Sequence, residues 1–446
     1  MARKQRVKEI KLTDEDLPIN GESSSIWKEY KNKCWDVYQN LPYPSSTDDE
    51  AWRRTSLRSL QLDRFQLPNG QAGQSERETI IADYFGVSDA GSRGGQATLT
   101  PQEVNLTLSP EWVEQGVIFT DLKSAAEEHP ELVDQVLGRI ITPEDGKFAA
   151  LTGAFAEQGI FLYVPKGVRI EKPIYGLTWA PGASVAHLSH LVIYLDEGAS
   201  LKYLHESTSP QDITEQALAG ENWEIYVGPG ANLEFVEFQT FGTHMWSFAH
   251  KKAQVDRDGK INWVMASLGS HLSKHFSTYD LVGEGAEGQI SGLYFGHGEQ
   301  HQTFNTQQNH LAPHTYSDLL YKGVLTGSSR SVWRGMIYVS PGSQYIDGYQ
   351  ANRNMILSDD ARADSIPGLE IQNDDVRCTH GSTVGKVDPD QLFYLQARGI
   401  PLEEAKRLIV YGFFEDVMKR IPFQEVKDNL SKEIRQKLES LPKNGK

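Results

Sequence analysis

The sequence predicts a mainly β protein in which short strands stack as a solenoid, with helical segments before and after. Three observations carry that expectation. From about Gly159, short apolar or alternating runs recur between glycine turns, as in GIFLYVPKG, HLVIYLDEGASLKYL, NWEIYVGPGANLEFVEF, DGKINWVMA and VWRGMIYVSPGSQ. No stretch between Ser184 and Val387 has helical periodicity. Several turns share one form, a glycine followed by Ala or Ser and then a strand, at Gly182, Gly198, Gly230 and Gly342. So long a series exceeds an ordinary sandwich and favours a solenoid over a large sandwich, although the glycine spacing is irregular.

The amino-terminal region, residues 1–158, reads as helices and loops. In SIWKEYKNKCWDVYQNL, Trp27, Tyr30, Cys34 and Val37 fall at helical spacing, which makes Cys34 a packed helix-face residue rather than a chemical one. Residues 68–100 are rich in Gly, Ser and Gln and read as a loop interrupted by a short helix near Glu78–Tyr84. Helical patterns follow at Leu122–Leu137 and Phe148–Ala156. The strand-rich core occupies residues 159–387, and helix returns over residues 388–446. There Asp388 can cap, Pro389 suits a first helical position and Gly399 stops the helix. Pro401 opens a second helix, with Leu402, Ala405, Ile409, Phe413, Val417 and Ile421 on one stripe. A third carries Phe423, Val426, Leu430, Ile434 and Leu438.

Composition narrows the function classes. The 446 residues are 39% hydrophobic, enough for a large core. A net charge of −16, with no basic block, repels phosphate backbones and argues against nucleic acid as a partner. No apolar run approaches the roughly eighteen residues of a membrane span, and the charged amino end, MARKQRVKEIKLTDEDLP, lacks the apolar stretch of a secretory signal. Two cysteines, Cys34 and Cys378, suit a reducing compartment, so the expectation is the cytoplasm, or a plastid stroma in a plant or alga.

Two nucleotide-like patterns fail on inspection. GEGAEG (Gly283, Gly285, Gly288) is followed by a strand-like run rather than the helix amino terminus that would hold a pyrophosphate. GSTVGK (Gly381–Lys386) has one residue too few between its glycines for a phosphate loop and is followed by Val387, where a Ser or Thr belongs. His297, His301, His310 and His314 are separated by three, eight and three residues, a spacing that aligns ligands on a helix but not in this strand-like region.

Cys378 and His380, in DDVRCTHGSTVG, differ. Two residues apart on a strand, they project from the same face. Thiolate and imidazole suit iron or zinc, and an imidazole can also activate a thiol as a nucleophile. Two ligands do not complete a tetrahedral site. The pair therefore implies a nucleophilic site, a site completed by another chain, or a structural role only.

The segment SIPGLEIQNDDVRCTHGSTVGKVDPDQLFYLQARGIPLEEA, together with YQANRNMIL before it, closely resembles the SufB/SufD family of iron-sulfur cluster assembly proteins, and within it the SufD branch. The resemblance runs from LPYPSSTDDEAWRRTSL through the final helices and rests mostly on the carboxy-terminal third. CTH followed by Gly381, in place of a Glu-His-Glu type segment, and the lack of further cysteines favour that branch. The family implies a right-handed parallel β-helix core flanked by α-helical amino- and carboxy-terminal regions. It further implies a non-enzymatic subunit that pairs with a SufB-like subunit through the β-helix edge and docks a SufC-like ATPase through carboxy-terminal helices. By resemblance Cys378 and His380 lie at the SufB contact, His380 being the stronger candidate for binding iron or a nascent iron-sulfur cluster, held transiently and shared with the partner. A homodimer is expected for the isolated chain. The rival expectations are a β-helix carbohydrate-active enzyme, which needs a cleft of paired carboxylates, and a Cys/His hydrolase, which needs a third orienting residue.

Overall fold

A computed structural model describes residues 10–19, 23–47, 49–68, 93–101, 103–180 and 182–439. The core is a parallel β-solenoid of about eight turns, built as a ten-stranded and a nine-stranded sheet facing each other. Successive strands alternate between the sheets, so each strand pairs in parallel with the one two places on in the chain. Trp223 of Ala217–Val227 lies beside Lys251 of Met245–Val255, which lies beside Ser277 of Leu272–Leu281.

One corner repeats. Gly167, Gly198, Gly230, Asp258, Gly285, His314 and Tyr345 all have φ between +56° and +74° and stand 27 to 32 residues apart. Each amide donates to a carbonyl one turn on, as from Gly198 to Pro229 and from Tyr345 to Asp375. The left-handed conformation suits glycine and costs a bulky residue on the order of 1–3 kcal/mol. His314 and Tyr345 adopt it nonetheless, stacked on each other with ring centroids 4.9 Å apart. Of the four glycines noted in the sequence, Gly198 and Gly230 serve this corner. Gly182 lies in a turn on the opposite edge, and Gly342 shares the turn where Tyr345 takes the left-handed conformation.

Between the sheets, Ile160, Leu162, Leu191, Trp223, Phe235, Trp263, Tyr294 and Trp333 form one buried cluster. Fully burying each such side chain contributes about 1.5–3 kcal/mol. Both outer sheet faces are also covered, which is why many strands read as continuous apolar runs rather than strict alternations. The amino-terminal region packs Trp27, Trp35, Trp52, Phe148 and Phe155 against Phe161, Val192, Trp246 and Phe248 of the nine-stranded sheet. The carboxy-terminal helices lay Val410, Phe414, Val417, Leu430 and Ile434 on Val236, Phe238, Val264, Leu293 and Leu320 of the ten-stranded sheet.

Several local expectations change. Residues 1–158 also contain the strands Gly95–Leu99, Val104–Leu108 and Ile118–Asp121, which extend the two sheets; they are too short to show a clear period. The helix expected over Leu122–Leu137 is two pieces, Leu122–Glu128 and Pro130–Val133, because Pro130 has no amide hydrogen to continue the first. The next helix is Lys147–Phe155. The short helix expected near Glu78–Tyr84 lies outside the described residues. In Leu402–Arg420 the buried residues are Ala405, Val410, Phe414 and Val417, so the stripe runs through Phe414 rather than Phe413.

Two helices of the amino-terminal region cap each other with lysines. From Ser25–Asn40, Lys31 donates to the carbonyls of Gly153 and Ala156 at the end of Lys147–Phe155, at 2.8 and 2.6 Å. In return Lys147 donates to the carbonyls of Tyr38 and Leu41 at the end of the first helix. These are orphan carbonyls of helix ends, so both lysines are satisfied although buried. Burial pushes Lys31 down to about 7, and two acceptors match the two N–H groups of a neutral amine. Above pH 7 the folded chain therefore binds fewer protons at this site than the unfolded chain, whose lysine titrates near 10.4, and stability rises with pH across that window. Between pH 8 and 9, unfolding free energy by urea titration should rise about 1.4 kcal/mol more in the native chain than in Lys31→Met. Equal slopes would show that Lys31 stays charged.

Candidate functional site

The solenoid ends at the strands Arg362–Ile371 and Val376–Lys386, each last in its sheet, with one edge paired and the other open. Register defines what they present. Along one wall Ile290, Leu319, Gln350 and His380 stand in line, and beside them Gly288, Ser317, Gly348 and Cys378. Ile290 and Leu319 lie in the interior cluster, so His380 and Cys378 continue the inward-facing rows at the point where no further turn covers them. On the opposite wall the inward rows end at Leu369 and Ile371, beneath which lie Ile337 and Val339. The covered pair is 0% exposed, whereas Leu369 and Ile371 are 37% and 39% exposed. Val384 is likewise exposed. The end of the solenoid is thus an apolar face with an open parallel edge, the kind of edge that another chain can extend.

The sequence placed Cys378 and His380 on one strand face, and the structure brings them there together. Cys378 is half-buried against Ile337, Val339, Ile346 and Val376. Burial first, then the Asp347 carboxylate, pushes its thiol up, which disfavours a free thiolate until a cation or a partner alters the surroundings. His380 is exposed.

A third group was missed as part of this site. A Cβ at Gly348 would lie 3.3 Å from both the Cys378 Sγ and the His310 Nε2, so thiol and imidazole both close on this bare position. His310 bonds Thr315 through Nδ1 at 2.7 Å and Ser317 through Nε2 at 2.9 Å, and burial pushes it down to about 4, so its ring is neutral. Sequence spacing grouped it instead with His297, His301 and His314, which do not converge: His297 bonds Thr326, His301 lies on the outer sheet face and His314 stacks on Tyr345. Pairing across turns, the information that joins His310 to Cys378, has no local signature.

Among the described residues no group of three or more His, Cys, Asp or Glu side chains is placed to hold a metal ion. Cys378 and His380 offer two donors on a face open to another chain, so further donors would have to come from outside. Cys34, by contrast, is buried in its helix and pushed up to about 12 by burial, a packed thiol without access. GEGAEG spans the turn before Glu287–Gly296 and the first two residues of that strand, and GSTVGK is part of the last strand. A second unoccupied surface follows the last strand: Pro389–Gln396 buries none of its residues and exposes Phe393 and Tyr394. No helix among the described residues is long and apolar enough to cross a membrane.

Comparison with known proteins agrees with this architecture. The profile of the SUF system FeS cluster assembly SufBD core domain matches residues 178–413, and that of the SufBD protein N-terminal region matches residues 100–175. The chain is 32% identical over 403 residues to the iron-sulfur cluster assembly protein SufD of Bacillus subtilis (strain 168), covering 89% of this chain and 90% of that one. It is 30% identical over 404 residues to an iron-sulfur cluster assembly SufBD family protein of Staphylococcus aureus (strain MRSA252), covering 89% and 86%. A Staphylococcus haemolyticus protein of the same description is 30% identical over 345 residues, covering 77% and 74%.

Proposed function

Since the chain belongs to the SufB/SufD family of iron-sulfur cluster assembly proteins and is most like SufD, we propose that it is the SufD-like subunit of an assembly scaffold and not a catalyst in its own right. The observation that carries this reading is the open last turn, where Cys378 and His380 stand beside the exposed Leu369 and Ile371. A SufB-like subunit pairs with that end, extends the open edges and supplies the donors that Cys378 and His380 lack, so that iron or a nascent cluster is held across the interface as cargo. Without the partner, the same edge pairs with a second copy of this chain. A SufC-like ATPase docks on the carboxy-terminal helical region, residues 388–446, for which the exposed Phe393, Tyr394 and Leu408 offer apolar anchors.

The test is coexpression with SufB-like and SufC-like subunits and anaerobic purification. His380→Ala should leave the composition and thermal midpoint of the complex unchanged while cutting cluster content at least about tenfold. Cys378→Ala should have a smaller effect, because its thiol is half-buried and held in the less reactive protonated form. Wild-type cluster content in a His380→Ala complex of normal composition would reduce the pair to scaffolding.

A further inference from the structure

The last two left-handed corners of the solenoid depart from a pattern that the earlier ones keep. Gly167, Gly198, Gly230, Asp258 and Gly285 fill that position with Gly or Asp, whereas His314 and Tyr345 put rings there at φ +57° and +58°. Left-handed backbone is uncommon for histidine and an outlier for a residue as bulky as tyrosine, and such outliers persist mainly where a function maintains them. Burial does not offset the strain at Tyr345. Its ring stacks on His314 at 4.9 Å and 21°, yet the residue stays 58% exposed. That step matches the spacing of neighbouring strands, so the two rings form a column along the solenoid axis. Continued by two residues and by one, the strand registers set His314 beside Tyr345 and Tyr345 beside Asp375, to whose carbonyl the Tyr345 amide donates at 2.8 Å. The column therefore runs toward the open end and stops one level short of it, where an aspartate is too short to cover a tyrosine ring.

Charge specifies what completes the column. Asp374 and Asp375 are both exposed, and among the described residues neither carboxylate has an ion-pair partner. Arg377, the next base along the strand, lies 3.8 Å from Asp347 instead. An exposed ring beside two unpaired carboxylates suits a guanidinium, which stacks flat on an aromatic face while its N–H groups reach carboxylates in the same plane. An ammonium satisfies the charge but not the stacking.

We propose that the exposed Tyr345 ring is a docking platform for an arginine of the SufB-like partner, which stacks on the ring and pairs with Asp374 and Asp375. The inference rests on the pairing at the open end proposed above and adds to it a polar contact at the rim, beside the apolar Leu369 and Ile371. The strain at Tyr345 is then offset in the complex, where the ring is covered, rather than in the free chain.

Sedimentation of the full chain mixed with the SufB-like subunit tests it, together with thermal unfolding of the free chain. Tyr345→Gly is a change the fold accommodates, since Gly167, Gly198, Gly230 and Gly285 hold the same corner. It should weaken pairing at least about tenfold, while the midpoint of the free chain stays level or rises as the strain is released. Tyr345→Phe keeps the ring and should pair within about twofold of the native chain. The exposed pair Asp374→Asn/Asp375→Asn should weaken pairing at least about fivefold and reduce its sensitivity to salt; should Tyr345→Gly lose its fold, this variant decides. Native pairing by folded Tyr345→Gly overturns the platform, and a lowered midpoint beside native pairing shows the ring to be packing for this chain alone. Native pairing by the asparagine variant overturns the arginine. Leu369→Asp/Ile371→Asp separates the two readings: if it abolishes pairing while Tyr345→Gly does not, the platform fails and the pairing end stands. If all these variants pair natively, the pairing end fails with it.

Discussion

On the proposed pairing, aspartate at both Leu369 and Ile371 is expected to abolish binding of the SufB-like partner while leaving the chain folded. The two side chains end the inward rows of one wall, over Ile337 and Val339, and stand more than a third exposed in the free chain. A partner that extends the solenoid buries them near the centre of the contact, where apolar anchors carry most of the binding energy. A carboxylate there must lose its water without gaining a pair, at a cost of several kcal/mol for each site. Two such sites should weaken pairing by at least about a thousandfold. In the free chain both carboxylates reach water, so the midpoint of unfolding should move by no more than about 1 kcal/mol equivalent. Sedimentation of the mixed subunits and thermal unfolding of the free variant are the two measurements. Pairing at native affinity by the folded double variant would remove the open end as the contact. Val376 is a poorer probe, since it already packs on Ile337, Val339 and Ile346.

Glu224→Ala should cost about 3–5 kcal/mol of folding free energy, the largest single loss expected from removing one polar group. Glu224 is fully buried on the outer face of the nine-stranded sheet. One carboxylate oxygen accepts from the amides of Ile140 and Ile141 at 3.1 and 2.9 Å. The other accepts from the Gly138 amide and meets the His190 Nε2, both at 2.9 Å. His190 in turn lies 3.5 Å from the Tyr30 hydroxyl on Ser25–Asn40. One side chain thus ties the segment before Lys147–Phe155 to the solenoid, and alanine would leave three amides without their acceptor. Glu224→Gln, which keeps one oxygen and turns an amino group toward donors, should lose most of the same energy. Urea unfolding of the three proteins checks this, and a loss below about 1 kcal/mol for alanine would mean that water replaces the carboxylate freely.

Much of this was legible locally. Asp388 does cap, its side chain accepting from the Asp390 amide, and Pro389 opens the helix. The third helix buries Val426, Leu430, Ile434 and Leu438, as its stripe required. Where two periodic solutions fit equally, packing chose. Steps of three and four pass through either Phe413 or Phe414, and only the sheet beneath selects Phe414. Nothing local in NWEIYV marks Glu224, because the amides it accepts from lie more than eighty positions away.

By itself the sequence determined the strand-and-turn series, the helix boundaries set by proline and capping residues, and the placement of Cys378 and His380 on one strand face. These follow from steric and hydrogen-bonding rules that act within a few residues. The tertiary structure alone decided that His310 and Cys378 both close on the bare Gly348, that His314 and Tyr345 take a corner where other turns use Gly or Asp, and that Leu369, Ile371 and His380 stand uncovered. In a solenoid each strand is paired by a strand one turn away, and whether an inward-facing residue is buried depends on whether another turn follows it.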